Sequence, residues 1–352
     1  MRSSISTFDG RPWHIYAVAA FVLGVTMLTG WNELAFSRGF IPTIEDDLPL
    51  WQLSWDRVQQ PDPSMTAFIG SSRIQYALSP QIWQEMTGKP AVQLGIVGSN
   101  SVFMLDELAR LDSFRGLVIG DLFAPPFSYP DFGGHGREIV TFVKEYDRRS
   151  VVALFERRLR LSCEQRFAFW NESFAIDRVI RQVLASGHVP EFELYSKLSN
   201  MTITMADRFK YFRALADDHG SSSDGPARPP LGIGFNWNGV HPDAAILDAN
   251  LQRVHDSIHS IQSRGGRVVI LRMPMTGIHS DLELKGGNGD DIWRRVARES
   301  GATILDTTSA PALFSGLSPV DGVHLAGDDA IEFTRRLAVL LPTLVPALQA
   351  SP

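Results

Sequence analysis

With 352 residues, 44% of them hydrophobic and 20% charged, the chain has the make-up of one large folded domain or two ordinary ones, and not of a disordered segment. A formal net charge of -6 and a pI of about 5.9 argue against a nucleic-acid partner, which would call for clustered Lys and Arg against phosphate. The single cysteine, Cys163, excludes an intrachain disulfide and any Cys-x-x-Cys zinc site, and no cofactor or metal is expected.

The N-terminal segment sets the compartment. Pro12 to Asn32 holds no Asp, Glu, Lys or Arg, matching the roughly 20 apolar residues that a helix needs to cross the hydrocarbon core. Trp13, Tyr16 and Trp31 flank the run as interfacial aromatics do. Arg2 and Arg11 precede it, and Glu33, Asp46 and Asp47 follow. The positive-inside rule therefore puts residues 1–11 in the cytoplasm and everything after residue 32 outside. A cleaved signal peptide and a buried core helix are the alternatives. The length of the run and the poor cleavage site at Met27-Leu28-Thr29-Gly30-Trp31 favour an uncleaved single-pass anchor in the inner membrane, with the rest of the chain periplasmic or otherwise extracytoplasmic.

Residues 33–63, and Gly39 to Pro63 above all, are rich in Pro, Asp and Trp without clean periodicity and read as a stalk. A domain over residues 64–345 follows. Met65 to Ile69 is a short apolar run ended by Gly70, which predicts a buried strand. Ser79-Pro80 opens a helix that Gly88 closes. Ala91 to Ile96 predicts a second strand, Ser99 to Leu111 a helix and Leu117 to Gly120 a third strand. Residues 123–235 break the pattern with Pro and Gly clusters and the flexible stretch Ser221-Ser222-Ser223-Asp224-Gly225-Pro226, and read as an insertion or cap. Alternation resumes with a helix from about Pro242 to Ser263, a strand Arg267 to Leu271, a helix Asp291 to Ser300, a strand Thr303 to Leu305 and a last helix from about Asp328 to Leu341. Such alternation implies an α/β fold with a mostly parallel sheet and helices on both faces, the flavodoxin-like three-layer α/β/α plan, whose ligand site lies at the carboxyl ends of the strands.

Two short motifs can carry chemistry. Gly70-Ser71-Ser72-Arg73 stands where the first strand ends, where a serine projects at the site edge. A purely structural helix N-cap is the alternative. Asp321-Gly322-Val323-His324 precedes the last helix. Its spacing lets a carboxylate fix the imidazole tautomer while the other ring nitrogen faces a serine, and a surface Asp and His near a helix start is the alternative. Asn238-Gly239-Val240-His241 echoes it without the carboxylate and reads as a loop. His135 lies in the glycine-rich Gly133-Gly134-His135-Gly136, for which a loop is the simpler account. Arg157, Arg158, Arg160 and Arg166 mingle with Phe155, Phe167, Phe169 and Trp170. This stretch suits either an amphipathic helix with a solvated charged side or a face for an anionic glycan or lipid headgroups.

Taken together, the Gly-x-Ser after the first strand, the glycine turn Leu94-Gly95-Ile96-Val97-Gly98 after the second and Asp-x-x-His before the last helix resemble the blocks of the SGNH/GDSL serine hydrolases. The resemblance covers residues from about 65 to 122 and 242 to 341. It implies Ser72 as nucleophile, His324 as general base and acid, Asp321 as its orienting carboxylate, and Gly98 as an oxyanion donor. The Gly-Ser-Ser-Arg form resembles membrane-anchored bacterial members, including the D-alanine transfer protein of teichoic acid modification. Two departures stand out: Ser71 replaces the usual Asp, and the Gly-x-Asn-Asp block is missing, with Ile119-Gly120-Asp121-Leu122 at the matching strand end. An ionised Asp121 cannot donate to an oxyanion. Asn100 is a candidate replacement donor, with a helix cap as its alternative reading. The resemblance implies an esterase or O-acyltransferase on a cell-surface or secreted polysaccharide or other envelope glycan, with an acyl donor that a membrane acyltransferase could supply. The competing expectation is a catalytically degenerate glycan-binding or scaffold subunit of a polysaccharide-modification complex.

Overall fold

The computed structural model describes residues 13–40, 42, 44, 47–134, 136–170, 174–189, 243–285, 289–319, 322–325 and 327–345. The chain divides into two compact units, residues 1–45 with 158–206 and residues 46–157 with 207–352.

The larger unit is α/β. Five short runs of apolar residues form an all-parallel sheet: β1 (Thr66–Ile69), β2 (Ala91–Gln93), β3 (Leu117–Asp121), β4 (Arg267–Leu271) and β5 (Thr303–Leu305), in the order β2-β1-β3-β4-β5. A helical crossover joins each strand to the next in the chain, as parallel pairing demands. The register sets Ala67 beside Val92 and Val118, and Val118 beside Val268. Because side chains alternate along a strand, Ala67, Ile69, Val118, Val268 and Ile270 enter one apolar cluster, while Phe68, Ile119, Val269 and Leu271 enter another. The first cluster is completed by α5 (Ser101–Arg110), α9 (Ala244–Ser263) and α11 (Gly289–Glu299), and the second by α4 (Pro80–Thr87), the short α12 (Pro311–Phe314) and α13 (Gly327–Leu344). Thr334 of α13 ties the first and last parts of the unit together: its hydroxyl donates to the Ala77 carbonyl (3.0 Å) and accepts from the Ser79 N–H (3.2 Å).

Two expectations are corrected. Residues 33–63 are not simply a stalk, for Leu48–Val58 form a helix, α2, capped by Asp47, whose carboxylate accepts from the Leu50 N–H (2.8 Å). Trp51, Trp55 and Val58 recur at helical spacing and are buried in the first cluster, with the two indoles stacked 5.5 Å apart. Nor does the fold pause at Phe123: Phe127, Phe132, Ile139 and Tyr146 are buried in the same cluster, the last two from α6 (Arg137–Asp147). The expected cap region therefore starts as core, while residues 190–235 of it lie outside the described residues.

The smaller unit is built on α1 (Trp13–Ser37), five residues longer than the predicted span at its C-terminal end. An 18-residue stretch of this helix has a mean hydropathy of 1.5, and the helix is long and apolar enough to cross a membrane. Its last turns pack against residues that follow α7 (Val151–Glu164): Ala35 and Phe40 share a cluster with Ala168, Phe174 and Val179 of α8 (Ile176–Ser186).

Candidate functional site

The site grows from the carboxyl end of β1. At Gly70 the backbone takes φ +153°, and a Cβ there would meet Asp121 Oδ1 at 2.3 Å and Ile74 at 2.8 Å, so only glycine fits. Ser71 then caps the short helix α3 (Ser72–Ala77): its Oγ accepts from the Arg73 N–H (3.4 Å). The cap is thus Ser71, which leaves the Ser72 hydroxyl for another partner. That partner is His324, whose Nε2 lies 2.8 Å from Ser72 Oγ although 252 positions separate them in the chain. Both side chains are buried, at 5% and 8% exposure. His324 arrives on a turn in which Gly322 adopts φ +95°, and the Gly322 carbonyl accepts from the Thr276 N–H (2.9 Å). The Tyr76 ring packs 5.1 Å from the imidazole. Asp321, expected to orient His324, lies outside the described residues, as do His241 and His135.

At the end of β3, Asp121 supports the serine turn. Its carboxylate pairs with Arg73 (2.6 Å) and accepts from the Ser71 backbone N–H, while Ser101 Oγ donates to its carbonyl oxygen. Burial pushes the Asp121 carboxyl above its ordinary range, and the Arg73 guanidinium and the Ser71 N–H pull against that rise. Arg73 also donates to the Leu122 carbonyl (3.1 Å) and sits 5.3 Å from the centre of the Phe123 ring. The residue standing where the resemblance would place an Asn-bearing block therefore holds Gly70, Ser71 and Arg73 in register.

Asn100 carries both readings at once. Its Oδ1 accepts from the Val102 N–H (3.0 Å), capping α5. That bond fixes which way the amide faces. The other end, Nδ2, is buried and has no hydrogen-bond partner among the described residues. Ser99 Oγ donates to the Gly70 carbonyl (3.1 Å) and ties this loop to the serine turn. Gly98 has φ +73° but open space where a Cβ would go, so its need for glycine is conformational.

Ser72, Arg73, Gly98 and Asn100 line one cavity of about 60 Å³, roofed by Phe123, Pro126, Met275, His279 and Val323. That is room for several waters or one small group. Met275 and His279 were not anticipated. They follow β4, His279 within α10 (Gly277–Lys285), and the rule that ligands gather at the carboxyl ends of parallel strands was the one available signal. The cavity thus brings together the Ser72 hydroxyl, itself in contact with His324, and the buried Asn100 Nδ2, which has no hydrogen-bond partner among the described residues. Among the described residues, no group of three His, Cys, Asp or Glu side chains is placed to hold a metal. Compared with protein-family models, curated proteins and solved structures, the chain matches none of them.

Proposed function

We propose that the chain is a membrane-anchored serine esterase or O-acyltransferase of the SGNH/GDSL type, with a flavodoxin-like three-layer domain outside the cytoplasm. The observation that carries this reading is the 2.8 Å approach of His324 Nε2 to the buried Ser72 hydroxyl, which shares a cavity with Asn100, whose Nδ2 has no hydrogen-bond partner among the described residues. In this reading His324 takes the Ser72 proton as Oγ attacks an ester carbonyl. The Asn100 amide and the Gly98 backbone N–H hold the oxyanion, and Asp321 orients the imidazole. Collapse expels the alcohol with the proton from His324 and leaves an acyl-serine. His324 then deprotonates the acceptor: a glycan hydroxyl in transfer, water in hydrolysis. An anchored domain on the outer side of the inner membrane has cell-surface or secreted polysaccharide within reach, which is why that is the proposed substrate class.

The full chain in detergent should be labelled by a fluorophosphonate on the Ser72 peptide, and Ser72→Ala should abolish the labelling. Absence of labelling on Ser72 would leave a binding or scaffold domain instead. Given a small acyl ester and polysaccharide fragments, the protein should place acyl groups on the fragments. Free acid alone, at a rate indifferent to glycan, would reduce the function to an esterase. A reporter active only outside the cytoplasm, fused after Pro352, should be active.

A further inference from the structure

We propose that α8, together with Phe167 and Trp170 just before it, lies in the border of the bilayer that α1 crosses. The inference rests on the reading of α1 as a membrane span but not on which side of the membrane is outside.

A hydrocarbon core of about 30 Å takes roughly 20 helical residues. Counted from Trp13, that length ends near Trp31 and Asn32. At this level α1 meets the rest of its unit: Asn32 Oδ1 accepts from the Ala168 N–H (2.9 Å), and the Trp31 and Phe40 rings lie 5.1 and 4.7 Å from that of Phe174. Ala168, Phe174 and Val179 are thus docked where the helix leaves the lipid.

From that point α8 presents a stripe that the described residues of its unit do not cover. Ile176, Ile180, Val183 and Leu184 are 63%, 51%, 37% and 81% exposed, and their spacing places them on one face. Of the large apolar side chains of α8, Val179 alone is buried. Asp177, Arg178, Arg181 and Gln182 occupy the other face, with Arg181 paired to Asp177. Phe167 and Trp170, 37% and 41% exposed, add the aromatic rings common at membrane interfaces. A short helix with one apolar face and Arg on the other matches an in-plane interfacial helix, whose Arg stems lie along the apolar layer while their heads reach phosphate. Continuity with the membrane helix favours lipid over a protein partner as the occupant.

The test uses the full chain in nanodiscs of phosphatidylcholine and phosphatidylglycerol, in a Cys163→Ala background. Single spin labels are placed through Val22→Cys, Ile180→Cys, Gln182→Cys and Leu184→Cys, and relaxation by oxygen, which partitions into lipid, is compared with relaxation by a water-soluble nickel chelate. The oxygen-to-nickel ratio should be several-fold higher at 22, 180 and 184 than at 182. If 22 reads as lipid while 180 and 184 match 182, the inference fails and the anchor stands. If 22 itself reads as water, the anchor reading falls and the inference with it. Labels at 180 and 184 shielded from both reagents would mean a protein occupant, which also overturns it. These positions are exposed, so their replacement leaves folding intact, and agreement between 180 and 184 guards against a local effect of either label.

Discussion

Truncating Asn100 to alanine separates an oxyanion donor from an ordinary helix cap. A preorganised donor is worth about 3–4 kcal/mol in the transition state, so Asn100→Ala should lower kcat roughly 100- to 1000-fold. The stability change should be small. Losing the bond to the Val102 N–H costs about 1 kcal/mol, whereas removing the buried, partnerless Nδ2 relieves a desolvation penalty of about 1–3 kcal/mol. The two terms oppose each other, and Asn100→Ala should unfold close to the parent. Asn100→Asp keeps the cap and, when ionised, offers no donor, so at mildly alkaline pH it should be as inactive as the alanine variant. The assay is hydrolysis of a small chromogenic acyl ester by the full chain in detergent, with urea unfolding in parallel. Full activity in Asn100→Ala, or activity restored by Asn100→Asp, would refute the donor role and leave a cap alone.

Ser72→Ala should cost several orders of magnitude in turnover, while Ser71→Ala, which removes the α3 cap, should cost about tenfold or less. The reverse ranking would place the nucleophile one residue earlier. Asp121→Asn leaves Arg73 charged and buried without its partner, and should destabilise the domain by about 3–5 kcal/mol in urea, with the m-value unchanged. Trp55→Ala should cost a similar ~3–5 kcal/mol if α2 belongs to the core, against almost nothing for a residue in a solvated stalk. Arg295 and Arg298 hold the Glu299 carboxylate down to about 2, so its contribution is present above about pH 4.5 and is lost as pH falls towards about 2. Glu299→Gln should flatten acid unfolding across that window.

The sheet was legible because its strands are short apolar runs punctuated by glycines such as Gly70 and Gly88, and because Ser79-Pro80 is a strong helix start that the structure retains with Gly88 as its left-handed end. Helix α2 was missed for a physical reason. Asp47 and Pro49 read as breakers, yet they are a cap and a first-turn proline, and the Trp51, Trp55, Val58 stripe behind them is helical. The serine and histidine were visible as motifs, but their meeting depends on the Gly322 turn and on the link from Thr276, which no local pattern encodes. The partnerless half of the Asn100 amide could not be read at all, since it depends on what surrounds it in space. His279 reaches the cavity only because α10 follows the carboxyl end of β4.

The separation of Ser72 from His324 along the chain has a consequence for biosynthesis. Helix α1 and the serine turn are translated early, whereas His324 arrives only with the Gly322 turn and α13, whose Thr334 clamps the Ala77–Ser79 corner. Contacts between such distant residues form late, because closing the intervening loop is entropically costly. Under the proposed function, a nascent or truncated chain would carry a serine with no proton acceptor. Reactivity towards esters would then switch on only with the last long-range docking event, the arrival of His324 on its turn.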